Sequence, residues 1–320
     1  MRSFDIVAAA KRALAQPELA KTYFLQRPFA PLLAQVVVTR RCNLKCGYCN
    51  EFDRVSKPVP LERLKRTVDH LESLGTRACA FTGGEPTLHP EYVDLVRYAS
   101  SRIAKISMST NGYRLTVPLI EALGDAGLGR MQISLDGIEP NKMTAKVLRC
   151  TERKLQLLAD HATFVVHINA VLGSIPFEET LEIVRRAREW NFETTVQWLH
   201  DERGQAMNPH GVTAEQVAHL LEACALPPHH GADVLGAGLD GAPPFRCRAG
   251  SRYLYIDEFS TARFCSQAQD LWSLPVDEVT DEVLQQNFHT AKPCAERCSL
   301  GCVRDSSRYD AWRPQWGPSL

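Results

Sequence analysis

A chain of 320 residues with 44% apolar content has the material for a substantial core, arranged as one large domain with a small appendage. Its 37 basic and 37 acidic residues cancel, so the total charge points to no nucleic-acid or polyanion partner, although a neutral sum can hide a local basic patch. Nucleic-acid binding is not expected. The opening residues carry Arg2, Asp5, Lys11 and Arg12 and form no continuous signal-peptide core, and no apolar run approaches the length of a membrane span. Eleven cysteines group at metal-ligand spacings, which predicts a reducing, cytoplasmic setting over a disulfide framework.

In chain order, residues 1–34 are predicted to form an amphipathic helix and a lead-in loop with Pro28 and Pro31, ahead of a first strand at 35–39. Leu61, Leu64, Val68, Leu71 and Leu74 then recur at helical spacing, and Gly75 stops the pattern. The alternation repeats, with strands at 77–82, 104–109, 130–135, 163–171 and 193–199, and Pro118 fits the first turn of an intervening helix. Six strands alternating with helices predict an α/β fold, a parallel sheet curled into a partial (β/α)6 barrel over 35–200, with ligands at the C-terminal strand ends.

Residues 201–244 read as one helix and a linker. Thr213 and Gln216 form a capping box, and 226–244 carries Pro227, Pro228, Pro243 and Pro244. Residues 245–320 read as a small cysteine-rich module held by something other than a hydrophobic core. In it, 253–256 and 261–264 alternate like a hairpin around Asp257 to Ser260, which would bring Cys247 and Cys265 near one edge.

The chemistry concentrates in Cys42, Cys46 and Cys49, spaced C-x3-C-x2-C. Three thiolates leave one iron of a [4Fe-4S] cluster open, whereas an electron-transfer cluster or a structural zinc site takes four protein ligands. The plainer alternative is three reduced thiols in a loop, or a zinc site completed from elsewhere. Gly83-Gly84-Glu85-Pro86 follows the second strand, and paired glycines let a backbone approach a ligand. Ser109 and Asn111 end the third strand, and Ser134 and Asp136 end the fourth. Short polar side chains there can hydrogen-bond a ligand, although Asn-Gly and Asp-Gly also make ordinary turns. Asn169 on the fifth strand reads as structural.

The cysteine segment, with Tyr48 before its last cysteine, resembles the radical S-adenosylmethionine (radical SAM) family. The resemblance implies that the segment from Gly83 to Pro86 binds the methionine amine of S-adenosylmethionine, with Glu85 as the matching acid. It also implies that Ser109, Asn111, Ser134 and Asp136 contact the ribose and methionine carboxylate. One electron, from a donor such as flavodoxin or ferredoxin, would then cleave the sulfonium to a 5′-deoxyadenosyl radical that takes hydrogen from substrate. Residues 139–149 depart from the family, lacking the His-Asp and Arg-Gly segment of many peptide-modifying and molybdopterin-precursor members. Substrate assignments from those subgroups do not carry over.

Cys247, Cys265, Cys294, Cys298 and Cys302 supply a second group of thiols, enough for one four-ligand site and one to spare. The group resembles the SPASM and twitch modules, whose glycine five residues before the second cysteine is Ser260 here. The C-x3-C-x3-C run would put its thiols on one helical face unless Gly301 breaks the helix. One auxiliary iron-sulfur cluster is predicted, with zinc as the alternative. Cys79, Cys150 and Cys224 read as structural, and His229 and His230 as solvated. Trp190, Trp198, Trp272, Trp312 and Trp316 read as packing or interface residues, with Trp198 the best substrate contact among them.

The expected function is therefore radical chemistry on a substrate, with a peptide favoured and a small metabolite as the alternative. The competing classes are a non-catalytic iron-sulfur electron carrier or redox sensor, and a zinc-bound adaptor.

Overall fold

The computed structural model describes residues 27–224, 235–239, 245–295 and 298–310. Most of the expected N-terminal helix and of the 226–244 linker, with His229, His230, Trp312, Trp316 and the side chain of Cys224, lie outside the described residues.

Strands β1 (Leu33–Thr39), β2 (Ala78–Gly83), β3 (Lys105–Thr110), β4 (Arg130–Leu135), β5 (Val165–Leu172) and β6 (Glu193–His200) pair in parallel, each with the next. Between them run α1 (Leu61–Ser73), α2 (Tyr92–Ser100), α3 (Val117–Asp125), α4 (Leu148–His161) and α5 (Phe177–Glu189). A short β7 (Ala206–Met207) closes one edge antiparallel to β6, and α6 (Ala214–Cys224) follows. Its expected capping box forms: the Thr213 N–H donates to Gln216 Oε1 at 3.0 Å, and the Gln216 N–H to Thr213 Oγ1 at 3.2 Å.

Strand alternation sorts the residues. Ala34, Val36 and Val38 of β1 join Cys79 and Phe81 of β2 and Leu64, Val68 and Leu71 of α1 in the main core. Each such fully buried leucine contributes about 1.5–3 kcal/mol. The opposite parity is largely polar, with Val37, Ala80 and Val171 among its apolar members. Gln35, Thr82, Ser107, Ser109, Gln132, Ser134, Thr195 and Gln197 keep partial exposure on the face turned away from the helices. The register sets Ser109 beside Gln132, and Ser134 beside Asn169 and then Thr195.

The C-terminal hairpin joins this same sheet. β8 (Tyr253–Ile256) pairs parallel to β1, and β9 (Thr261–Arg263) and β10 (Ser273–Pro275) follow antiparallel, giving the order β10-β9-β8-β1-β2-β3-β4-β5-β6-β7. The sheet is open, as a partial barrel requires. The remaining described helices are α7 (Asp281–His289) and α8 (Gly301–Arg308). The expectation of a module without an apolar core is corrected. Val37 of β1 and Tyr253 and Tyr255 of β8 form a second core with Phe264, Leu300, Val303, Cys247, Cys265 and Cys298. The fully buried Arg252–Asp310 pair, 2.8 Å apart, adds a link, and Arg252 also donates to the Ala30 carbonyl at 2.9 Å. Among the described residues, no helix is long and apolar enough to cross a membrane.

Candidate active site at the strand ends

The first cysteine loop leaves β1 and is held at both ends by backbone bonds. Cys42 N–H donates to the Asp53 carbonyl at 3.0 Å, and Asp53 N–H to the Arg40 carbonyl at 2.8 Å. Cys46 is buried, while Cys42 and Cys49 are half-buried, and burial pushes the thiols of Cys42 and Cys49 up. Such thiols keep their protons until a metal displaces them.

The glycines after β2 serve a close approach within the chain itself. A Cβ on Gly83, whose φ is +142°, would lie 2.1 Å from the Thr39 carbonyl oxygen, and one on Gly84 would lie 2.3 Å from that of Arg40. Gly84 and Glu85 N–H groups donate to the carbonyls of Thr39 and Arg41, which stitches this turn to the cysteine loop. The Glu85 side chain is fully buried and fully engaged. Its Oε1 accepts from Thr87 N–H, the Thr87 hydroxyl and the Thr110 hydroxyl, and its Oε2 accepts from Asn111 N–H at 2.8 Å. Glu85 thus orders the ends of β2 and β3 together, and Pro86 opens the short turn that it caps.

Asn111 reaches back to the cysteines, with Nδ2 2.9 Å from Asn43 Oδ1 and 3.9 Å from Cys42 Sγ. Asp136 is fully buried, accepts from the Tyr48 hydroxyl on Oδ2, and has no hydrogen-bond partner on Oδ1. Lys146 completes this group. Its Nζ lies 2.8 Å from the Tyr48 oxygen and 3.4 Å from Asp136 Oδ2. Burial alone would lower the ammonium, but Tyr48 and Asp136 outweigh it and hold it well above its usual range. Burial and the Asp136 carboxylate likewise hold the Tyr48 phenol protonated.

Lys146 was not among the expected site residues, although it lies in the segment 139–149 that departs from the family. That segment packs on the cysteine loop. Gly47 N–H donates to the Met143 carbonyl at 2.9 Å, and Thr144 Oγ1 is 3.9 Å from Cys46 Sγ. The strand ends therefore bring Cys42, Cys46, Tyr48, Glu85, Asn111 and Asp136 into one connected site. Ser109 and Ser134 stand on the polar face beneath it.

Cys247, Cys265 and Cys298 are buried in the second core, and Cys294 and Cys302 pack against it. Burial pushes Cys265 up to about 12 and Cys302 to about 11, the latter beside the Tyr253 hydroxyl. The run from Cys294 to Cys302 does not form one helical face. Cys298 bridges to Gln205, and α8 begins only at Gly301, where a Cβ would meet Gln197 Nε2 at 2.6 Å. Among the described residues no three His, Cys, Asp or Glu side chains stand in the arrangement that a single metal ion needs.

Two other residues are placed by the fold. Trp198 is buried on the helix side of β6 and donates to the Leu235 carbonyl at 2.7 Å, so it packs and does not face the mouth. Cys150 is exposed on α4, with the Tyr113 hydroxyl beside it.

An open α/β sheet built on six consecutive parallel strands, with a cysteine loop and polar groups gathered at the strand ends, defines a half-barrel protein built to hold a ligand at its mouth. The sequence model of the radical SAM superfamily matches residues 36–224. The chain belongs to that superfamily. It is similar to the PqqA peptide cyclase of Bradyrhizobium diazoefficiens, 36% identical over 112 residues, which cover 34% of this chain and 30% of the relative. It is also similar to the GTP 3′,8-cyclase of Chlorobaculum tepidum, 36% identical over 174 residues, or 52% of each chain. The match thus spans between 30% and 52% of the length of these curated relatives. In fold it is similar to Streptococcus suis SuiB bound to precursor peptide SuiA, with a TM-score of 0.63 at 16% identity, covering 90% of this chain and 70% of that one. A second likeness is native anSMEcpe with bound AdoMet and Cp18Cys peptide, with a TM-score of 0.55 at 17% identity, covering 86% of this chain and 84% of that one.

Proposed function

We propose that this chain is a radical SAM enzyme that acts on a peptide. Cys42, Cys46 and Cys49 would hold a [4Fe-4S] cluster with one iron open, and the soft sulfur donors of the loop suit it. The unpartnered Asp136 Oδ1 beside Lys146 suits a polar ligand at the same mouth. When bound, the cluster and S-adenosylmethionine supply one-electron cleavage of the sulfonium to a 5′-deoxyadenosyl radical that takes hydrogen from substrate.

The protein's part is orientation and exclusion of water. Gly83 and Gly84 present backbone groups beside the loop, and Glu85 fixes them through Thr110 and Asn111. Tyr48, Asp136 and Lys146 place a cation and a carboxylate where the amine and carboxylate of an amino-acid ligand find opposite charges. Asn111 and the segment 143–146 close over the thiols. The observation that carries this reading is the direct contact between the strand-end residues and the cysteine loop, Asn111 with Asn43 and Lys146 with Tyr48.

The peptide preference rests on the inner face. Gln132, Asn169, Thr195 and Gln197 are neutral hydrogen-bonding side chains suited to amides, and His167, beside Gln132 and 2.8 Å from the Thr195 hydroxyl, is the titratable member of this face. A small metabolite remains the alternative substrate. The C-terminal thiols would hold one auxiliary iron-sulfur cluster, with one thiol to spare. The test replaces Cys42, Cys46 and Cys49 together by Ala and measures iron, sulfide and zinc after anaerobic reconstitution. About four irons retained per folded chain support the auxiliary cluster. Zinc alone, or no metal, removes it.

A further inference from the structure

Resting on that reading, we infer that the face made by the first cysteine loop and the β8–β9 turn docks an acidic one-electron carrier protein. In a chain of zero net charge, residues 40–57 carry five cations, Arg40, Arg41, Lys45, Arg54 and Lys57, against Glu51 and Asp53, and the β8–β9 turn adds Asp257 and Glu258, which pair with Arg263 and Arg40. The two acids of the loop are engaged as well. Glu51 accepts from the Tyr255 hydroxyl at 2.7 Å and lies 3.6 Å from Arg40, and Asp53 accepts from the N–H groups of Val55 and Ser56 within its own turn. Arg41, Lys45, Arg54 and Lys57 are exposed and form no ion pair among the described residues, so their charge faces solvent.

Two large apolar side chains stand out of this face. Val55 is 86% exposed and Phe259 72%. Both belong to turns anchored on Arg40. Its carbonyl accepts from Asp53 N–H at 2.8 Å, and its Nε donates to Glu258 Oε2 at 2.8 Å. The face also begins at the cysteines, because Cys42 N–H is bonded to the Asp53 carbonyl. Exposed apolar groups beside an unpaired surplus of one charge mark an interaction surface, and the complementary partner is acidic with an apolar centre. The chemistry next to it selects the kind of partner. One electron leaves the reduced carrier and enters the cluster held by Cys42, Cys46 and Cys49, and no atom moves. Electrostatic steering onto a small, transient interface suits such an exchange.

The test uses the anaerobically reconstituted full chain and a reduced bacterial flavodoxin as probe, with stopped-flow absorbance reporting cluster reduction and calorimetry with oxidised flavodoxin reporting binding. Arg54→Glu with Lys57→Glu, and separately Val55→Ser with Phe259→Ser, are expected to weaken binding and slow flavodoxin-driven reduction about tenfold at low salt. The charge effect should shrink at high salt, where screening is complete within a few ångströms, and reduction by dithionite should not change. Equal flavodoxin rates and affinities in wild type and both variants would overturn the docking face, as would an equal loss with dithionite. Binding of a polyglutamate peptide that the charge reversals abolish, with flavodoxin reduction intact, would reassign the face to an acidic peptide. Failure of the dithionite-reduced wild type to form 5′-deoxyadenosine would count against the enzyme reading and leave the reduction and binding comparisons standing.

Discussion

Lys146 and Asp136 face one another at the mouth of the sheet, Nζ 3.4 Å from Oδ2, with the Tyr48 oxygen 2.8 Å from the same ammonium. Asp136 is fully buried, so the ammonium is what makes its charge tolerable. Lys146→Met should cost about 3–5 kcal/mol by stranding a buried carboxylate, and should weaken S-adenosylmethionine binding. Lys146→Arg should recover most of the stability. Urea unfolding and equilibrium dialysis with labelled cofactor read both effects, and a Lys146→Met protein as stable as wild type would remove the pair from the account.

Two glycines give a controlled contrast. An added Cβ at Gly84 meets the Arg40 carbonyl oxygen at 2.3 Å, whereas one at Gly211 meets nothing within 4 Å and carries only the strain of φ +63°. Gly84→Ala should therefore displace the turn from the cysteine loop and abolish cofactor binding. Gly211→Ala should cost about 1–2 kcal/mol and leave binding intact. Equal binding by both variants would contradict the close approach at Gly84.

Much of this was legible in the sequence, because the barrel strands announce themselves by punctuation and apolar content. The six expected strands fall within two residues of those observed, and the hairpin around Asp257 forms as β8 and β9. What stayed hidden is long-range. No local pattern tells that Leu33 pairs with Tyr253, so the C-terminal module was expected to lack the core it shares with β1. Lys146 carries no motif of its own, and only the folded loop brings it to Tyr48. Trp198, expected to pack and ranked first among the tryptophans as a substrate contact, packs. It shares the parity of Val196, which is buried on the helix side of β6.

Ser260 occupies φ +63°, the left-handed region that glycine enters freely, in the turn between β8 and β9. Ser260→Gly should relieve this strain and raise stability by about 1 kcal/mol, less what is lost with its 3.4 Å contact to the Thr67 hydroxyl. Thermal unfolding measures the gain, and a loss exceeding 1 kcal/mol would show that the hydroxyl matters more than the backbone.

Cys79 gives a pH signature far from either cysteine group. Burial pushes its thiol up to about 12 from a usual 9.0. The folded protein then keeps a proton that the unfolded chain releases, so stability falls as pH rises from about 9 towards 12, by about 1.4 kcal/mol per unit. Cys79→Val removes this contribution, so the gap between variant and wild-type urea midpoints should widen across that window. A constant gap would mean that the thiol does not stay protonated.

The decisive assay incubates the anaerobically reconstituted protein with S-adenosylmethionine and dithionite and quantifies 5′-deoxyadenosine. Wild type should form product, and the protein with Cys42, Cys46 and Cys49 replaced by Ala should form none. Absence of product from wild type loaded with about four irons per chain at the first site, or equal product from the triple variant, would contradict the enzyme reading.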